Sequence, residues 1–198
     1  MVSFPELPRV MLRDDRAQES LESLREMKRF AEHFISRIES FSTTDLEVRA
    51  NVYALIQLVN NHRDVLATLL NHELKLKRTQ VYLHKLAHDP SGLPGDILRV
   101  IRQVVEDPTV RHLYEAGNEL KHRRLVEIKP LHTLTLTGVA LRYSLTLSKF
   151  ERTRGGRVDV YPEENAMELI LSAYGTILDG TREILELLAR CSSSHGQL

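Results

Sequence analysis

The chain has 198 residues, 42 % hydrophobic and 27 % charged, which is the size and composition of one globular domain. That composition excludes a disordered tail, a collagen-like chain and a disulfide-framed miniprotein. Lysine and arginine number 27, as do aspartate and glutamate, so the formal charge is zero and a generic polyanion-binding domain is disfavoured.

Residues 1–13 carry two prolines and little periodicity, and read as an extended arm. A single domain is expected over 14–191, with 192–198 as a flexible tail. Between 14 and 41, Leu21, Leu24, Phe34, Ile38 and Phe41 recur at helical spacing, opposite Glu19, Glu22, Glu26 and Arg29. This predicts an amphipathic helix. Thr44 and Glu47 then have capping-box spacing. Neither glycine nor proline occurs from 45 to 87, and Val48, Val52, Leu55, Ile56 and Val59 continue a helical stripe. One helix of that length is unusual, so Asn60-Asn61 is the expected place for an interruption or kink. A Pro- and Gly-rich loop follows at 89–95. Asp96 is expected to cap a short helix carrying Ile97, Val100, Ile101 and Val104. Asp107-Pro108 starts the next helix, which is read to about residue 125.

From 131 to 150 the period changes. Leu131, Leu134 and Leu136 alternate with hydroxyl residues, Leu145 and Leu147 do the same, and Val158 and Val160 follow a Gly155-Gly156 turn. Two or three strands are predicted, with a competing reading that makes 138–149 helical. Pro162 and two glutamates open a last helix bearing Met167, Ile170, Leu171, Tyr174, Ile177, Leu178 and Leu185. The predicted fold is mainly α: a bundle of four to six helices with a small β-hairpin-like insertion, about 130–161, before the last helix.

Cys191 is the one cysteine, which precludes an intrachain disulfide and fits a reducing compartment. The first residues form no export signal, and no apolar run approaches the roughly 20 residues that cross a bilayer. A cytoplasmic protein without a membrane partner is the expectation. Nucleotide-binding glycine motifs and a nucleophile elbow are absent, so no cofactor is expected. The neutral total hides polarity. Residues 120–157 hold nine basic against two acidic residues, while 158–198 hold seven acidic against two basic.

Polar chemistry concentrates at 111–124. In a helical reading Asn118 and His122 share a face, with Lys121, Arg123 and Arg124 beside them. The stretch Asn118-Glu119-Leu120-Lys121-His122-Arg123 resembles the Arg-Asn-x-x-x-His stretch of HEPN domains, small helical bundles found in many ribonucleases, toxins and inactive relatives. The resemblance covers about seven residues and the all-helical layout. It implies a homodimer that binds RNA or cleaves it without metal, His122 acting as general acid/base and Asn118 as an orienting group. Lys121, Arg123 and Arg124 would contact phosphates. Gly117 stands where the family has its Arg, so the guanidinium that would stabilise the transition state is missing from that position. The resemblance therefore implies a catalytically degenerate member. Glycine inside a helix also fits close approach of another backbone, which in a HEPN-like dimer would be the partner helix.

Two alternatives remain open. His84 and His88 lie at i, i+4 on a predicted helix and Glu119-x-x-His122 has carboxylate–histidine spacing, which would suit a metal-binding bundle. With His62 they also loosely resemble DinB-like metal proteins. A non-enzymatic interaction protein would instead use the basic and acidic segments to pair with each other or with a partner.

Overall fold

The computed structural model describes residues 4–39, 44–120, 126–135 and 138–193. Asp14 opens the first helix by accepting from the backbone N–H groups of Arg16 and Ala17, at 3.0 and 3.2 Å. Those groups have no partner within the helix, so the cap stabilises its start. Helix α1 (Asp15–Glu39) buries Leu21, Leu24, Ala31, Ile35 and Ile38 along the predicted stripe. Helix α2 (Asp45–Glu73) begins at Thr44, where both reciprocal bonds of the capping box with Glu47 form. The two helices run antiparallel: Glu73 at the end of α2 accepts from the backbone of Arg13 and Asp14 ahead of α1, at 2.9 and 3.2 Å.

The break expected at Asn60-Asn61 does not occur. Helix α2 runs through it, because Asn60 turns its amide outward and donates from Nδ2 to the Leu113 carbonyl at 3.4 Å. The chain leaves the helix after Glu73 instead, and Lys75 and Lys77 take positive φ values of 52° and 56°. Three shorter helices follow: α3 (Leu83–His88), α4 (Gly95–Glu106) and α5 (Pro108–Glu119). Asp96 is not the cap of α4, which starts at Gly95 and places Asp96 in its first turn, where a negative charge favours the helix dipole. Asp107 does cap α5, accepting from Thr109 and Val110 at 2.9 and 3.0 Å, with Pro108 in the first turn. Helix α5 ends at Glu119, short of the expected 125.

Among the described residues, five strands make up the inserted segment: β1 (Val126–Thr135), β2 (Gly138–Leu147), β3 (Phe150–Arg154), β4 (Arg157–Tyr161) and β5 (Glu164–Asn165). The insertion thus begins earlier and is larger than two or three strands. The helical alternative for 138–149 is overturned, since β2 pairs antiparallel with β1 along its length, from Gly138 opposite Thr135 to Leu147 opposite Val126. Strand β5 lies on the other side of β2. Strands β3 and β4 form a separate hairpin through Gly155-Gly156, whose φ values of 53° and 82° are the left-handed conformation this tight turn requires.

The last helix, α6 (Ala166–Ser193), is capped by Asn165, which accepts from Met167 and Glu168 at 3.0 and 3.2 Å. Pro162 and the glutamates do not open it, because Glu164 is drawn into β5. Helix α2 is the centre of the bundle, packed against α1, α3, α5 and α6. It is consequently buried on more than one face, His62 and Arg63 included. The N-terminal arm is part of this core: Phe4, Leu7 and Leu12 are buried, and the Phe4 ring stands edge-on to Tyr174 at 4.9 Å. Among the described residues no helix is long and apolar enough to cross a membrane.

Candidate functional site

Of the residues singled out in the sequence, Asn118 lies in the last turn of α5 and is half-buried. His122, Lys121, Arg123 and Arg124 fall in 121–125, outside the described residues. Gly117 faces α2 of its own chain. A methyl group there would come within 2.1 Å of the Asn60 amide, and Gln57 Nε2 already donates to the Gly117 carbonyl at 3.0 Å. The close approach is therefore intramolecular, and a partner helix is not needed to explain the glycine.

His84 and His88, on α3, both border a cavity of about 600 Å³ that α2, α4 and α5 complete. Arg63 comes from α2, Arg102 and Glu106 from α4, and Arg111, Tyr114 and Glu115 from α5. Arg63 is the unusual member. It retains 4 % of its exposure, and neither Nε nor Nη1 has a hydrogen-bond partner. Its guanidinium lies over the Tyr114 ring, 4.6 Å from the centroid, which compensates part of the lost hydration. Burial holds the Arg63 pKa below the ordinary arginine value, opposed by Tyr114, Asp64 and Glu115. A guanidinium nonetheless stays charged in proteins, so the wall of this cavity contains a buried cation with free donors. Unpaired buried charges are expensive and tend to be kept where a ligand uses them.

Of the carboxylates lining the cavity, Glu115 is engaged by the hairpin. Arg152 of β3 reaches Glu115 at 3.2 Å and Glu119 at 3.3 Å, clamping the β3–β4 hairpin onto α5. Arg111 donates to Asp159 of β4 at 2.7 Å. Arg102, at the rim, donates to the Ala87 carbonyl at 3.4 Å and so ties α4 to α3. A second cavity, of about 540 Å³, lies under the hairpin and shares Arg111. His112 borders it, buried against the stacked rings of Phe150 and Tyr161, with Nδ1 3.7 Å from Glu164 and Nε2 without a partner. Burial lowers the His112 pKa, and Glu164 opposes the shift.

The metal-binding alternative loses its third histidine, because His62 points away from α3 and contacts Tyr174 and Thr181 in the core. Among the described residues no group of three or more His, Cys, Asp or Glu is placed to hold a metal ion. Among the described residues, the ion pairs of the acidic α6 side chains run to helices and not to the basic insertion. Glu183 pairs with Arg99 of α4 at 2.6 Å, while Asp179 and Glu186 pair with Arg182 and Arg190 of α6 itself.

Arg63 was not singled out from sequence, although a signal was there: it interrupts the apolar stripe between Val59 and Leu66 on a helix that is otherwise core. What it faces depends on α3 and α5, which no local pattern shows. Compared with known proteins, the chain is matched by no family model, no curated protein and no solved structure.

Proposed function

We propose that this protein binds RNA, with the cavity beside Arg63 as its phosphate site. The observation that carries the reading is a buried guanidinium whose Nε and Nη1 have no partner, in the wall of a cavity also bordered by Arg102, Arg111, His84 and His88. Phosphate oxygens are the natural acceptors for such a fork of donors. The HEPN-like resemblance supplies RNA as the polymer. In its support, Arg111, Tyr114, Glu115 and Asn118 succeed one another at helical spacing on α5, so the cavity wall and the start of the motif lie on one helix stripe. Arg63 also brings a guanidinium to α5 from α2, where Gly117 supplies none. His122 as general acid/base, Lys121, Arg123 and Arg124 as phosphate contacts, and a homodimer complete the proposal.

The test is binding of a structured RNA by the wild type and by Arg63→Met at several salt concentrations. Salt-sensitive binding that weakens in the variant is expected, since each neutralised phosphate releases counterions. RNA cleavage that survives chelator and disappears in His122→Ala would add the nuclease activity. Absence of salt-sensitive binding in the wild type would overturn the reading.

A further inference from the structure

Building on the phosphate-site reading, we propose that the cavity selects a phosphomonoester, a phosphate esterified on one oxygen only, over the internal diesters of a nucleic-acid strand. The argument begins with depth. Arg63 retains only 4 % exposure, whereas Arg102 and Arg111 at the rim are exposed. An internal phosphate carries a nucleoside on each side, and both would have to enter for its free oxygens to approach the Arg63 guanidinium. A monoester enters phosphate first, with its single substituent leaving by the mouth. A cavity of about 600 Å³ suits one small group enclosed in this way rather than a polymer track.

Charge points the same way. A monoester carries between one and two negative charges near neutral pH, its second ionisation lying near pH 6, whereas an internal diester carries one. His84 and His88 border the cavity, and an imidazole ring can present an N–H donor to the dianion. Glu106, exposed at the rim, works against a run of further phosphates there. On the outward side, the His84 ring lies 6.1 Å from Tyr114 and stacks on Tyr82 at 5.7 Å and 20°. Tyr82 is 40 % exposed and also carries the Lys85 ammonium over its ring at 5.3 Å, so the cavity mouth is flanked by a further cation. A free nucleoside monophosphate and the phosphorylated end of an RNA share this chemistry.

The experiment compares one oligoribonucleotide in 5′-phosphate, 3′-phosphate and hydroxyl-ended forms, together with adenosine 5′-monophosphate, adenosine and dimethyl phosphate. Binding is measured by calorimetry on the full chain, as wild type, Arg63→Met and Arg102→Gln, each checked by thermal melting. A phosphorylated end or the mononucleotide should bind about tenfold or more tighter than its phosphate-free counterpart, a preference reduced in both variants. Tighter binding of the mononucleotide than of either phosphorylated RNA identifies a free nucleotide as the source, and the reverse identifies an RNA end. Hydroxyl-ended RNA bound as tightly as phosphorylated RNA, and weakened in Arg63→Met, overturns the monoester proposal while leaving the phosphate site standing. RNA binding indifferent to both variants overturns the site and the proposal together.

Discussion

Across the interface of α2 and α6, His62 donates from Nε2 to the hydroxyl of Thr181 at 3.3 Å. The direction follows from Thr181, whose own proton goes to the Ile177 carbonyl at 2.7 Å and leaves its oxygen as acceptor. Nδ1 is then unprotonated and accepts from the Tyr174 hydroxyl at 3.5 Å. Full burial pushes the His62 pKa down to about 3. In the unfolded chain the ring titrates near 6.5, so below that pH the unfolded state binds a proton that the folded state refuses. His62 therefore leaves stability untouched above pH 6.5 and erodes it as the pH falls toward 3, by up to about 1.4 kcal/mol per pH unit. Urea denaturation of wild type and His62→Leu between about pH 7.5 and about pH 4.5 should show the shallower pH dependence in the variant. Identical slopes would contradict a neutral buried ring.

Arg63→Met should stabilise the fold while weakening phosphate binding. The substitution fills similar space and removes a buried charge whose Nε and Nη1 have no partner. A gain of about 1–3 kcal/mol in denaturation is expected. Such an exchange of stability for binding marks a residue kept for a ligand. A clear loss of stability would show that the charge serves the fold instead.

Gly117→Ala should destabilise by about 1–3 kcal/mol, since the new methyl group collides with the Asn60 amide. Asn60→Ala removes both the obstacle and a bond to the Leu113 carbonyl. The double variant should be more stable than the two separate losses would sum to, and a double-mutant cycle by chemical denaturation measures that coupling. Strict additivity would place the two residues out of contact.

Arg152→Met should cost about 1–3 kcal/mol, because it strips the ion-paired guanidinium from the buried carboxylate of Glu115. Glu115→Gln in the same background should recover part of the loss by removing the charge. Thermal melting reads both, and the hairpin should become more susceptible to proteolysis in Arg152→Met as its hold on α5 weakens.

Much of the helical frame is legible in the sequence because it is dictated within a few residues. The stripe of α1 repeats every three or four positions, and the caps at Thr44 and Asp107 bond to amides two or three residues away. Asn60 shows where that reading stops. Asparagine is a weak helix former, but its bond to α5 outweighs the local preference. The cavity was less accessible still. His84 and His88 stood out as a pair, yet their setting depends on Arg63 and Tyr114, which other helices deliver. The hairpin was visible in its glycine turn, whereas its attachment through Arg152 to Glu115 joins residues from separate elements.

The two ends of the described chain meet. Phe4 packs on Tyr174 of the last helix, and Arg13 donates to the Cys191 carbonyl at 3.1 Å, across 178 positions. A chain emerging from the ribosome cannot complete this core until α6 has been made. Contacts of such long sequence separation slow folding, because loop closure precedes any compensating contact. Until then Phe4, Leu7 and Leu12 lack part of their native cover, which makes the final helix the latch that closes the bundle.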